Sequence, residues 1–225
     1  MKGKKYLLFD ADNTLYDFTA TEKAALKRLF GKYSISESLY PVYHRGNAEC
    51  WARYEKGELT LEALETERFR LFAEAAGLTA DPAAMGNDYA AMLGEEGIMI
   101  PGAVDFLGKI KGKYSLSIIT NGIARVQRER IRRTGTESFY DSIFISQEIG
   151  YAKPDARFFD FVLNALNASK ESCLVIGDSL SSDIKGANDA GIDSVLISFS
   201  GNASSDATWS VSSYNELLSL LENDA

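Results

Sequence analysis

The sequence predicts an α/β protein in which a parallel sheet is covered by helices on both faces and a long helical insert follows the first strand. Three observations carry this. Short apolar runs alternate with helical stretches from about Ile100 onward, one apolar run (Tyr6–Phe9) stands far upstream, and the text between about Thr19 and Leu93 holds no convincing strand. Strands that alternate with helices are joined by crossovers, which make the sheet parallel and bury both of its faces.

Taken in order, Tyr6–Phe9 is a short buried strand that stops in the polar segment DADNT. The insert then places Ala24, Leu26, Leu29 and Phe30, followed by Trp51, Tyr54, Leu61, Leu64, Phe69 and Phe72, at roughly helical spacing, with Gly57 and Gly77 as punctuation. Pro101-Gly102 marks a turn before a helix to about Ile110, and Ser115–Ile119 reads as the second strand. Alternation follows: a helix through Arg125–Arg133, strand Ile143–Ile145, a helix from Pro154 to about Leu166, strand Cys173–Ile176, a helix near Ile184–Ala190 and strand Ser194–Ile197. Ser213 followed by Glu216 forms a capping box for a closing helix through Leu221.

Composition narrows the function classes. The 225 residues are 45% hydrophobic and 25% charged, which excludes a disordered or low-complexity chain and allows a sizeable core. A formal net charge of −8 argues against capture of a nucleic acid polymer or an anionic membrane surface. The two cysteines, Cys50 and Cys173, show no metal-ligand spacing and point to a reducing compartment. The opening MKGKKYLLFDADNT has a four-residue apolar run before an acid, too short for a signal peptide or a membrane span, so a cytoplasmic location is expected. With His44 as the sole histidine, and no nucleophile pattern around it, imidazole-based hydrolase mechanisms are disfavoured and acid/base chemistry falls to carboxylates.

Ligands of open parallel sheets gather at the carboxyl ends of strands, so the residues that follow each strand are the candidates. Asp10 and Asp12 lie two apart after the first strand, where their charges favour a nearby cation or proton; a turn with local side-chain to backbone hydrogen bonds is the other reading. Asp178 directly follows the apolar run LVIG, and Asp183 sits either with it at a magnesium-like cluster of hard oxygens or in a helix first turn capped by Ser181 or Ser182. Thr120 and Asn121 end the strand SLSII, as an anion site or as ordinary caps. Lys153 precedes Pro154 at a helix mouth, where an ammonium would neutralise phosphate or simply be solvated. Together these groups are the parts that phosphoryl transfer needs. Trp51 and Tyr54, near Tyr43 and His44, read as core aromatics before base-stacking ones, and Arg125, Arg128, Arg130, Arg132 and Arg133 as a solvated helix face.

The motifs FDADNTL, IITNG, AKPD and GDSLSSD, in that order, resemble the four motifs of the haloacid dehalogenase-like hydrolase superfamily. The segments WARYEKGELT and TWSVSSYNELLSLL look like its pyrimidine nucleotide 5′-phosphatase branch. The resemblance implies a Rossmann-like core at residues 1–16 and 98–225 and a helical cap at 17–97 that selects the substrate. It implies Asp10 as nucleophile, Asp12 as general acid/base, Thr120, Asn121 and Lys153 as phosphate ligands, and Mg2+ held by Asp10, the backbone carbonyl of Asp12, Asp178 and Asp183. Dehalogenating members typically lack an aspartate at the position of Asp12, so its presence favours phosphate esters. The expected substrate is a small phosphate monoester, first a pyrimidine nucleoside 5′-monophosphate; phosphoglycolate or a sugar phosphate is the alternative, and a phosphoacceptor switch a more distant one.

Overall fold

The computed structural model of the chain describes residues 3–222, so the first two and last three positions of the expected core lie outside the described residues. The chain forms two compact units, one from the N-terminal segment through Phe18, Ile98–Ala124 and Ile131 onward, the other from Thr19–Gly97 and Arg125–Arg130.

The first unit is built on strands β1 (Tyr6–Phe9), β2 (Ser115–Thr120), β3 (Ser142–Ile145), β4 (Cys173–Gly177), β5 (Asp193–Ile197) and β6 (Trp209–Val211). They form one sheet in the order β3-β2-β1-β4-β5-β6, and every pairing is parallel. Period-two alternation divides the strands between two cores. Leu7 and Phe9 pack with Ile118, Ile176 and Phe106 on one face, while Leu8 packs with Ile119, Val175 and Phe158 on the other. Burial on both sides is why these strands read as continuous apolar runs in the sequence. The short strand β6 is not foreseen from sequence, because Trp-Ser-Val is too brief and too polar in its flanks to register as an apolar run.

The order places a topological switch between β1 and β4: the chain runs outward from β1 through β2 to β3, then crosses to β4 and continues the other way. In register, Phe9 faces Ile118 of β2 and Ile176 of β4, and the Asp10 amide donates to the Ile176 carbonyl at 2.8 Å. Residues just past the ends of these three central strands therefore converge, although they are far apart in sequence.

The second unit contains the four insert helices: α1 (Phe18–Lys32, from Thr19 on), α2 (Tyr40–Glu55), α3 (Leu61–Ala76) and α4 (Pro82–Glu95). Local signals fix their ends. Thr60 Oγ1 accepts the Ala63 amide at 3.2 Å and Asp81 accepts the amides of Ala83 and Ala84, while Gly77 takes the left-handed φ of 65° that closes α3. A side chain at Gly86 would place a Cβ 2.5 Å from the Glu65 carbonyl oxygen, so glycine there permits the close approach of α4 to α3. The core is aromatic, with Phe30 stacked on Phe72 at 5.4 Å and Tyr43, Phe69 and Tyr89 around them. Trp51 and Tyr54 are half-buried and meet edge to face at 5.7 Å, while Tyr43 is the fully buried ring of that stretch.

This unit also holds a polar cluster. Asn47 Nδ2 and the Tyr89 hydroxyl donate to Glu22 Oε1 at 3.3 and 3.2 Å, and the Arg68 guanidinium lies 4.6 Å from the Tyr89 ring. Burial raises the Glu22 carboxyl above its ordinary pKa, against the opposing pull of His44. His44 itself is a partly exposed neighbour of Glu22, edge-on to Tyr40, consistent with a structural role.

The expectation for the arginine-rich helix needs correction. In α6 (Ala124–Arg133), Arg128, Arg132 and Arg133 are exposed and Arg125 pairs with Glu65, but Arg130 is fully buried and donates to Gln127 Oε1 at 2.8 Å. A fivefold cluster of like charge in sequence does not reveal that one turn of the helix points a guanidinium inward.

Candidate active site

The site is assembled from strand ends. Asp10 follows β1 and is nearly buried at 8% exposure, Thr120 ends β2, and Asp178 follows β4. Lys153 enters from the connection between β3 and helix α8 (Ala156–Leu166), past the single turn α7 (Ser146–Ile149). Its ammonium is buried and uses all three protons: it donates to Asp10 Oδ1 at 2.6 Å, to Asp183 Oδ1 at 2.6 Å and to the Ile119 carbonyl at 2.7 Å. The reading of Lys153 as a solvated surface lysine is thereby excluded.

Asp183 is fully buried and lies in a π-helical turn, Leu180–Ile184, that precedes helix α9 (Lys185–Ala190). The cap of this turn is Ser179, whose Oγ accepts the Ser182 amide at 3.2 Å, and neither Ser181 nor Ser182 takes that part. Asp183 Oδ2 in turn accepts the Ser179 amide at 3.1 Å, so each of its oxygens holds a proton donor. The π turn brings back an acid five residues past Asp178, with their carboxylate oxygens within 4.8 Å of each other.

Gly177 is a residue that sequence reasoning missed. A Cβ there would lie 2.6 Å from the Asp183 Cβ and closer still to its carboxylate, so only glycine lets Asp183 pack against the end of β4. The signal was present in GDSLSSD, but the glycine reads there as the end of a strand.

Asn121, expected at phosphate, is engaged by the protein. Its Nδ2 donates to the Lys153 carbonyl at 2.8 Å and its Oδ1 accepts the Lys153 amide at 2.9 Å, which clamps the Lys153 segment to the end of β2. Thr120 is buried, and its Oγ1 accepts the Gly122 amide at 3.1 Å. Asp12 is half-buried in the turn after β1, where Leu15 and Tyr16 amides both donate to the Ala11 carbonyl and Asn13 takes a left-handed φ of 58°. Asp12 lies close enough to raise the carboxyl pKa values of Asp10 and Asp178.

The electrostatics are unbalanced. Three carboxylates, those of Asp10, Asp178 and Asp183, bring oxygens within 4.8 Å of one another around one ammonium. Burial pushes Asp10 well above the usual carboxylate range, with Lys153 opposing and Asp183 adding to the rise. Asp178 is pushed up to about 6, first by burial and then by Asp183. Burial works against the charge of Lys153, yet Asp10 and Asp183 outweigh it and raise its pKa, so it stays protonated. An excess of hard, partly desolvated oxygens is the donor set that suits magnesium, and the residues present fit that ion.

Comparison with known proteins gives the family. The family profile described as haloacid dehalogenase-like hydrolase matches residues 4–191. The chain is 33% identical over 222 residues to pyrimidine 5′-nucleotidase YjjG of Escherichia coli strain K12, covering 96% of this chain and 97% of that protein. It is 34% identical over 228 residues to pyrimidine 5′-nucleotidase PynA of Streptococcus pneumoniae, covering 98% and 96%. Among solved structures, that of the HAD-hydrolase YfnB from Bacillus subtilis bound to magnesium superimposes with a TM-score of 0.91 at 32% identity, covering 98% of this chain and 99% of that one. With a matching profile over most of its length and relatives above 30% identity along nearly all of it, the chain belongs to the haloacid dehalogenase-like hydrolase family.

Proposed function

We propose that this phosphatase hydrolyses pyrimidine nucleoside 5′-monophosphates through an aspartyl-phosphate on Asp10, with Mg2+ as cofactor. The observation that carries the chemistry is the buried Lys153 ammonium bonded to both Asp10 and Asp183 beside Asp178. The likeness to two pyrimidine 5′-nucleotidases over almost the whole chain supports the substrate class.

Lys153 holds Asp10 Oδ1, which orients the carboxylate and leaves Oδ2 to attack phosphorus in line. As the new bond to phosphorus forms, the bond to the ester oxygen breaks, and Asp12 gives that oxygen its proton, releasing the nucleoside. Asp12, now a carboxylate, takes a proton from water as the water oxygen attacks the aspartyl-phosphate. The bond between Asp10 and phosphorus breaks, phosphate leaves, and both side chains return to their starting states. Thr120 binds a phosphoryl oxygen, the Lys153 ammonium holds Asp10 and sets its positive charge beside the phosphoryl group, and Asn121 keeps the Lys153 segment in place. Asp10, Asp178 and the Asp12 carbonyl would hold magnesium, with Asp183 beside them; when bound, the ion supplies positive charge that screens the approach of a carboxylate to a phosphate dianion. Residues 17–97 act in this reading as the cap that selects the leaving group.

The test is phosphate release from UMP, dUMP, dTMP, sugar phosphates and phosphoglycolate, with magnesium or with chelator, by the wild type and Asp10→Asn. Magnesium-dependent preference for the pyrimidine nucleotides, lost in the variant, is the expected result. Efficient hydrolysis of another class alone would discard the nucleotide assignment and keep the chemistry, whereas turnover by a clean Asp10→Asn preparation would remove Asp10 as nucleophile.

A further inference from the structure

We propose that Tyr214, the first residue of the closing helix α10 (Tyr214–Glu222), is a positioning residue for the reaction: its hydroxyl pins the peptide that closes the turn carrying Asp12, and so sets where the Asp12 carboxyl lies. The inference rests on the acid/base role proposed for Asp12 and holds for whichever phosphate ester is hydrolysed.

The turn is closed by one carbonyl. Ala11 accepts the amides of Leu15 at 3.0 Å and Tyr16 at 2.9 Å, which encloses Asp12, Asn13 and Thr14. The Leu15 amide and the Thr14 carbonyl are two ends of one peptide unit, and that unit is planar, so neither end rotates without the other. The Thr14 carbonyl accepts the Tyr214 hydroxyl at 2.6 Å. A single plane is thus held from both sides, by Ala11 next to Asp10 and by the closing helix. Thr14 is fully buried, so loss of the hydroxyl leaves its carbonyl short of a donor that water does not readily replace. Rotation of the peptide towards another donor draws the Leu15 amide off Ala11 and opens the turn around Asp12.

The donor is itself fixed. The Tyr214 ring stacks on Phe106 of α5 (Ala103–Ile110) at 5.2 Å with 19° between their planes, and Phe199 meets it edge-on at 5.2 Å. Ser213 caps α10 by accepting the Glu216 amide at 3.2 Å, which secures the helix end that carries the ring. Burial raises the Tyr214 phenol above its ordinary pKa, so the oxygen keeps its proton and remains a donor. Elsewhere in the turn the Leu15 and Tyr16 carbonyls take backbone amides, from Ile100 at 2.9 Å and Asn13 at 2.7 Å. The bond to Thr14 comes from a side chain, so Tyr214→Phe removes its oxygen while keeping the ring.

The experiment measures kcat and KM on the best alkyl phosphate substrate and on p-nitrophenyl phosphate, for the wild type, Tyr214→Phe, Asp12→Asn and the double variant, with a thermal melt on each. Tyr214→Phe should lower kcat on the alkyl ester about tenfold, with KM changed less than about twofold and a smaller loss on the aryl ester. In the Asp12→Asn background it should add less than about twofold, because the group it positions is already gone. A purely structural role would lower the melt and leave the ratio of alkyl to aryl rates unchanged. Equal losses on the two esters, or losses from the two substitutions that multiply, would overturn the proposal. Amide hydrogen exchange is read in parallel: Leu15 and Tyr16 should exchange about tenfold faster in Tyr214→Phe, with the β4 amides unchanged, and equal exchange at Leu15 and Tyr16 would also overturn it. If the wild type releases no phosphate from either ester, the proposed function fails, and the exchange rates still decide whether Tyr214 holds the turn.

Discussion

Lys153→Met tests the electrostatic centre of the site, because methionine keeps most of the side-chain length and removes the charge. The ammonium satisfies three acceptors at 2.6, 2.6 and 2.7 Å, two of them buried carboxylates. Stripping one partner from a buried ion pair costs about 3–5 kcal/mol, because the remaining charge is left without compensation. For a unit of this size that corresponds to a fall in melting temperature on the order of 10 °C. The sign of the pH dependence follows from Asp10. Its folded pKa is already raised by burial, and Lys153 is the one group that lowers it, so the variant raises it further. A carboxyl whose folded pKa exceeds its unfolded value favours folding at low pH, and that contribution is lost as pH rises through the folded pKa. The deficit relative to wild type should therefore be larger on the alkaline side of the raised Asp10 pKa and shrink on its acid side. Denaturant unfolding in chelator on both sides of that pKa measures it, and magnesium should restore part of the loss by binding the uncompensated carboxylates. A deficit below about 1 kcal/mol at the alkaline end, or one of equal size at both ends, would refute the reasoning.

Four further outcomes are expected. Gly177→Ala should destabilise by about 1–3 kcal/mol and lower kcat, because the new methyl group displaces Asp183 from Lys153; an unchanged melt would show that the turn yields freely. Asp12→Asn should slow hydrolysis of alkyl phosphates by about 10²–10⁴ and that of activated aryl phosphates less, and equal losses would remove Asp12 as the acid. Asn121→Ala should cost about 1–3 kcal/mol in stability through its two lost bonds to the Lys153 backbone, with a smaller effect on inorganic phosphate affinity than Thr120→Ala; the reverse order would make Asn121 a direct phosphate ligand. Magnesium affinity, read from thermal shift, should decline as pH falls below about 6, where a proton competes for Asp178, and a flat profile would exclude that carboxylate as a ligand.

The sheet was legible because its strands are buried on both faces and so appear as unbroken apolar runs; β1 and β4 are readable from Leu7–Phe9 and Cys173–Ile176 alone. The capping box at the last helix is also visible in sequence, with one difference: the Glu216 amide donates to Ser213 Oγ as expected, but the Glu216 carboxylate reaches back to the Ser212 amide and hydroxyl. What stayed hidden depends on approach between segments without a local pattern. The requirement for glycine at position 177 exists only because a π turn brings Asp183 against it. The buried cluster of Glu22, Asn47, Arg68 and Tyr89 draws one residue from each of α1 to α4, and no spacing in the sequence joins them.

The same contrast explains why the chemistry is easier to read than the substrate. Asp10, Thr120, Lys153 and Asp178 are each tied to a strand end, and one rule about parallel sheets brings strand ends together at the switch between β1 and β4. Their convergence can thus be inferred from order along the chain before any distance is known. In the proposed reading, selection of a leaving group has no such rule: it depends on which side chains of a helical bundle turn inward and which remain available, and the bundle buries polar groups such as Arg68 that composition would place outside. Specificity in this fold therefore has to be measured on substrates, while the proposed nucleophile and acid can be tested by changing single atoms.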